Sequence, residues 1–171
     1  MRIAIIGYSG CGKSTLAGLF GSTHSIPVLH MDKAHWLPGW QERPKEERAA
    51  IVRRFMDENR KWVIDGNYTH VFYDERMEKA DRIIFLNFNR FTCLYRAWKR
   101  KIQYTGRSRP DMTEGCEEKL DMAFILWILR DSRTKKARAR YRKLQNKYPE
   151  KFVEIKSPRQ LYAFIENENL N

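Results

Sequence analysis

Apolar positions fall in short unbroken runs from the start of the chain, and that pattern sets the expected fold. Arg2-Ile3-Ala4-Ile5-Ile6 shows no polar alternation, as expected of a strand buried on both faces in a parallel sheet. Runs of similar length recur at residues 26–30, with Pro27 at a strand edge, at residues 62–64, at Arg82–Leu86 and at Phe152–Ile155. Between them the spacing turns helical. Leu16-Ala17-Gly18-Leu19-Phe20 starts one helix. Pro44 opens a second, with Glu46 and Glu47 in its first turn and Arg60-Lys61 at its end, matching the helix dipole. Ala49, Val52, Phe55 and Met56 give that helix an apolar stripe. Helices are also predicted over Tyr73–Lys79, over residues 90–104 and, as one long stretch, over residues 117–147. Ser157 as N-cap, Pro158 at the first position and Gln160 at the third make a well-formed start for the last helix. Residues 31–40 predict a loop. Strands alternating with helices, without repeats or linkers, indicate a parallel α/β sheet in a single domain over residues 1–171.

The 171 residues, 42% hydrophobic and 32% charged, suffice for one domain with a real core. The longest uncharged apolar run, Met122–Leu129, is eight residues, far short of a bilayer span but apolar enough to be core or interface. A strand starts at Arg2 with no leader-like segment before it, and Cys11, Cys93 and Cys116 form no metal or disulfide pattern, so the expected location is cytoplasmic. The net charge of +12 is concentrated: residues 90–147 hold 17 Lys+Arg against 6 Asp+Glu, and the remainder is nearly neutral. That segment points to an anionic partner.

The first strand leads directly into Gly7-Tyr8-Ser9-Gly10-Cys11-Gly12-Lys13-Ser14-Thr15, which has the full P-loop spacing. Glycines at Gly7, Gly10 and Gly12 let backbone N–H groups turn inward onto phosphate oxygens, and the following helix adds its positive end. The loop backbone through Cys11 and Thr15 completes the nucleotide site, Lys13 reaches the outer phosphates and Ser14 ligates Mg²⁺. The implied cofactors are ATP and Mg²⁺. In parallel sheets ligands lie beyond the carboxyl ends of the strands, where Asp32 and Asp65 also fall. Asp65 is assigned to the metal, with a turn aspartate in a hairpin as the competing reading. Asp32 is assigned to orienting or deprotonating a substrate hydroxyl, with a capping or turn role as the alternative. Trp36, Trp40 and Tyr68 are candidates to stack on a flat substrate, or else to pack. Arg96, Arg100, Arg107 and Arg109 flank or lie in a loop containing Gly106, and Arg107 and Arg109 are the arginines expected to close over the phosphates. The eight basic residues between Arg130 and Lys143 cannot share one helix face, so most are expected to be solvated.

Taken together, these stretches resemble the bacterial P-loop family of DNA topology modulation proteins, relatives of adenylate and other small-molecule kinases. The resemblance is carried by the P-loop, by residues 62–68 with Asp65-Gly66-Asn67-Tyr68, by residues 80–86, by Arg109-Pro110-Asp111-Met112 with Glu114-Gly115-Cys116, and by Lys156-Ser157-Pro158. It implies a five-stranded parallel sheet of order 2-3-1-4-5 with a lid, here residues 105–116. It also implies Asp65 in the metal shell and adenine held near Ser157 and Pro158. Related kinases follow the Asp-Gly pair with Phe-Pro-Arg. Asn67-Tyr68-Thr69 stands here instead, so the arginine that grips an acceptor phosphate is absent.

Two functions fit. One is a kinase that moves the γ-phosphate of ATP to a small molecule of unread identity. The other is an ATP-dependent nucleic-acid-binding regulator that uses the basic segment. The first is favoured, because phosphoryl transfer itself needs clustered arginines. Any nucleic-acid contact is then expected to be weak and non-specific, no membrane partner is expected, and the oligomeric state is not legible.

Overall fold

The structure is a computed structural model that describes residues 1–170. Its centre is β1 (Arg2–Gly7), whose Ile3, Ala4, Ile5 and Ile6 are fully buried. That strand pairs in parallel with β5 (Trp62–Asp65) on one side and β6 (Arg82–Leu86) on the other. The sheet is completed by β2 (Val28–His30) against β5 and by β7 (Phe152–Ile155) against β6, both parallel. The order is β2-β5-β1-β6-β7.

The expected order 2-3-1-4-5 has to be renumbered, because two unpredicted strands intervene. Residues 31–40, expected as a loop, form the short helix α2 (Met31–His35) and β3 (Trp36–Leu37), which pairs antiparallel with β4 (Gln41–Glu42). The turn between them places Gly39 at φ 74° and Trp40 at φ 64°. Gly39 fits that conformation freely, and no strand propensity in the two-residue arms announces the hairpin. The hairpin considered as an alternative after Asp65 does not form, since both partners of β5 are parallel.

Helices cover the sheet. α1 (Lys13–His24) buries Leu16, Ala17 and Phe20, and α3 (Lys45–Glu58) buries Val52 and Met56 from its predicted stripe. α4 (Tyr73–Lys79), α5 (Arg90–Gln103) and α8 (Pro158–Asn167) lie close to expectation. The predicted helix over 117–147 is instead two. α6 (Met122–Leu129) and α7 (Lys135–Lys147) are separated by a single 3₁₀ turn at Asp131–Arg133. The physical reason is capping: the side chains of Asp121 and Thr134 accept the N–H groups of Phe124 and Ala137, so each starts a new helix. Residues 105–116 carry neither helix nor strand and link α5 to α6.

Candidate active site

The end of β1 turns into the P-loop, and Gly7, Gly10 and Gly12 all have φ between 82° and 144°. At Gly10 the requirement is also steric, because a Cβ there would stand 2.3 Å from the carbonyl oxygen of Cys93. Gly12 is the N-cap of α1 and offers no side chain to the first-turn N–H groups, which leaves them directed at a ligand. The Lys13 ammonium donates to the carbonyl of Tyr8 at 3.2 Å, across the loop. Cys11 and Cys93 are buried with their sulfurs 3.3 Å apart. Their hydrogen bond holds the Cys11 thiol below its ordinary pKa and pushes that of Cys93 up.

Three strand ends meet beside this loop. The Ser14 hydroxyl donates to Asp65 Oδ2 at 2.9 Å, and His30 Nδ1 contacts Asp65 Oδ1 at 2.6 Å. The register explains the meeting, for Asp65 pairs with Ile5 on one side and with His30 on the other. Burial draws the His30 pKa down, but the hydrogen bond and charge of Asp65 outweigh it and leave it raised. Asn67 then reaches back to β1. Its Oδ1 accepts from Gly7 N at 3.0 Å and its Nδ2 donates to Gly7 O at 2.8 Å. Arg76, buried, donates to the carbonyls of Gly66 and Tyr68 and so fixes the turn that carries Asn67.

A second polar cluster adjoins the first. The Tyr68 hydroxyl donates to Asp32 Oδ1 at 2.6 Å, bringing together two residues singled out from the sequence. Burial, then the Asp32 carboxylate, raises the Tyr68 pKa, so the phenol keeps its proton. The His35 ring lies 4.7 Å from that of Tyr68, and Arg48 donates to His35 Nδ1. Burial and the Arg48 charge lower the His35 pKa and keep the imidazole neutral. Arg48 is 2% exposed. Among the described residues no carboxylate lies within ion-pair distance of it, and its Nε has no partner.

Trp36 and Trp40 stand 5.4 Å apart on the hairpin, and that hairpin docks on the segment expected to be a lid. Trp40 Nε1 donates to the carbonyl of Glu117, Thr113 Oγ1 donates to that of Trp36, and Gly39 N donates to that of Gly115. Trp40 thus packs just past the end of the segment, at Glu117 and Lys119. Arg107 is exposed, whereas Arg109 is largely buried and paired with Asp111 at 2.8 Å and Glu118 at 2.7 Å. Glu118 also takes Arg100 at 2.5 Å. Ser157 caps α8 as expected, and Leu161 of that helix packs toward Gly12, which brings Ser157 and Pro158 to the P-loop side.

Six of the eight residues of the basic run are exposed, as expected, but Arg133 is an exception: its guanidinium sits 3.7 Å from the centre of the Tyr8 ring and donates to the carbonyls of Phe88 and Ile128. The 3₁₀ turn at Asp131–Arg133 redirects it inward, which a continuous helix would not have done. Three site residues went unassigned in the sequence: His30, Asn67 and Arg48. The first two flank recognised aspartates, so strand-end position was the available signal. Arg48 lies on α3 among exposed charges, and nothing in the pattern marks it.

No protein-family model and no curated protein matches the chain, so its resemblance to the DNA topology modulation family gains no support. Solved structures do match. Shikimate kinase from Bacteroides thetaiotaomicron aligns at 19% identity and TM-score 0.51, covering 99% of this chain and 96% of that one. A Chloroflexus aurantiacus protein, named a kinase only provisionally, aligns at 13% identity and TM-score 0.54, covering 98% and 96%. A gluconokinase from Sinorhizobium meliloti aligns at 18% identity and TM-score 0.48, covering 98% and 95%. At these identities the likeness is one of architecture alone: the chain shares the fold of the shikimate kinase and of the Chloroflexus protein.

Proposed function

We propose that the protein transfers the γ-phosphoryl group of ATP to a hydroxyl of a small anionic molecule. The observation that carries this reading is the adjacency of two clusters at the strand ends. One, Ser14–Asp65, suits a nucleotide-bound metal, and the other, Asp32–Tyr68 with unpaired Arg48, suits a hydroxylated acid. A hydroxyl and a carboxylate are the oxygen ligands that Mg²⁺ prefers, and the uncapped N–H groups at Gly12 suit phosphate. Bound Mg·ATP would supply the electrophilic phosphorus and neutralise the charge that develops on its oxygens.

The chain's own residues divide the remaining work. Lys13, now on the Tyr8 carbonyl, exchanges that partner for phosphate oxygens. Asp32 accepts the proton of the acceptor hydroxyl, and the Tyr68 hydroxyl fixes the carboxylate that receives it. Arg48 binds the acceptor's carboxylate or phosphate, which supplies the counter-charge a buried guanidinium needs. Trp36 borders the acceptor, while Trp40 anchors residues 105–116 as a lid that brings Arg107 and Arg109 toward the phosphates and keeps water out. Ser157 and Pro158 border the adenine.

The test is γ-phosphate transfer from labelled ATP to a panel of hydroxy acids, phosphorylated sugars and neutral polyols. Transfer to anionic members, slowed about 10²-fold or more by Asp32→Asn, is the expected result. Transfer to neutral polyols alone, or ATP hydrolysis with no acceptor used, would overturn it.

A further inference from the structure

Large apolar side chains are distributed very unevenly over this surface. Of the eight that lie exposed among the described residues, seven belong to α5 and α6, two helices that pack against each other. On α5 they are Phe91, Tyr95, Trp98 and Ile102, with Phe91 73% exposed. On α6 they are Met122, Leu126 and Trp127. The α5 residues follow one another at intervals of four, three and four. That is the alternating a/d seam of two heptads, the narrow stripe by which one helix packs on another helix. The opposite side of α5 already faces the core through Cys93 and Ala97, so the seam is additional to what the fold uses. α6 has no charged residue in its eight positions.

Extent and composition identify what covers this face. With about 200 Å² per large side chain, and roughly half of each exposed, the seven together offer on the order of 700 Å². The largest apolar patch on an ordinary monomer is about 300–600 Å², while a stable interface takes about 800 Å² from each partner. Aromatic residues and methionine with no Lys or Glu inside the stripe are the make-up of an interface core. Of the nearby cations, Arg96 donates to Gly10 O, Arg100 pairs with Glu118, Arg130 pairs with Asp131, and the Lys99 ammonium lies 5.4 Å from the centre of the Tyr95 ring. Arg90, Lys99 and Lys101 make no ion pair among the described residues but stand outside the four seam positions, so a second copy meets no charge within the seam itself.

We propose that the protein is an isologous homodimer in which α5 and α6 of one copy pack on α5 and α6 of the other. A helical seam is self-complementary across a two-fold axis, which closes the assembly at two. Because residues 105–116 join these same helices, both ends of that segment are anchored at the interface.

Analytical ultracentrifugation of the intact protein across a dilution series is the test, with the emission of Trp98 and Trp127 followed in parallel. A dimer at micromolar concentration is expected, dissociating on dilution with a red shift as the indoles become wet. Trp98→Glu and Leu126→Glu, both at exposed sites, are expected to raise the dissociation constant about 30-fold or more. Tyr162→Glu on α8, the remaining exposed site, should leave it unchanged. ATP binding by the monomeric variants reports that they are folded. An intact protein that sediments as a monomer at tens of micromolar would overturn the proposal. So would binding through this face to anionic phosphatidylglycerol vesicles or to single-stranded DNA in place of self-association.

Discussion

Asn67 gives the sharpest single-residue prediction, because its amide makes two reciprocal hydrogen bonds to Gly7, at 3.0 and 2.8 Å. Asn67→Ala removes both and leaves the Gly7 N–H and carbonyl without partners at a buried strand end. The loop cannot move to find replacements on the other side, since the space at Gly7 is closed by Leu86, whose carbonyl oxygen would lie 2.3 Å from any Cβ. Each stranded backbone group costs about 1–3 kcal/mol. Partial relief by water entering this half-buried site lowers the total to about 2–4 kcal/mol. For a chain of this size that corresponds to a fall in Tm of about 5–15 °C. Urea unfolding followed by far-ultraviolet circular dichroism measures it directly, and ATP affinity should fall as well because the same bonds shape the P-loop. Asn67→Asp keeps the acceptor for Gly7 N–H but sets a carboxylate against the Gly7 carbonyl, so it should not rescue. A loss below about 0.5 kcal/mol for Asn67→Ala, in the range of ordinary surface changes, would refute the reasoning.

Arg48→Met should raise the KM for the acceptor about tenfold or more while ATP affinity and stability hold or stability rises, since an unpaired buried charge gives way to an apolar chain; unchanged KM in transfer kinetics would contradict this. In the basic run, Arg133→Ala should cost about 2–3 kcal/mol in urea unfolding through lost contacts with Tyr8, Phe88 and Ile128, whereas Lys136→Ala, at an exposed site, should cost almost nothing. Hydrogen bonds from Arg53 and then Lys79 lower the Glu75 pKa from 4.5 to about 2. A depressed carboxylate contributes stability above its unfolded pKa and loses it as pH falls through the folded one. The intact protein should therefore lose stability between pH 4.5 and 2 more steeply than Glu75→Gln. With both partners partly exposed, the difference at pH 7 should stay below about 1 kcal/mol.

The central sheet was legible because fully buried parallel strands leave unbroken apolar runs, and the P-loop because its glycines and lysine keep a fixed spacing. The placement of Asp65 and Asp32 was legible for a related reason: residues at the ends of such runs stand at the carboxyl edge of the sheet. Helix ends inside a long polar stretch were not. Residues 117–147 have helical composition throughout, and the break depends on whether Asp121 and Thr134 turn their oxygens onto the backbone. The hairpin at Trp36–Leu37 escaped because four paired residues carry too little pattern, and with it the contact of Trp36 and Trp40 with residues 113–117. Arg48 and Arg133 were hidden for a further reason. A guanidinium among other charges looks solvated until tertiary packing buries it.

Central to the proposed function is the Ser14–Asp65 pair as the place where a nucleotide-bound metal is held. Calorimetric titration of ATP into the intact protein and into Asp65→Asn, each with Mg²⁺ and with EDTA, tests this most directly. Binding to the intact protein should be tighter in Mg²⁺ by about tenfold or more, and Asp65→Asn should remove most of that difference. Equal affinity with and without Mg²⁺, or an unaltered Mg²⁺ effect in Asp65→Asn, would contradict it.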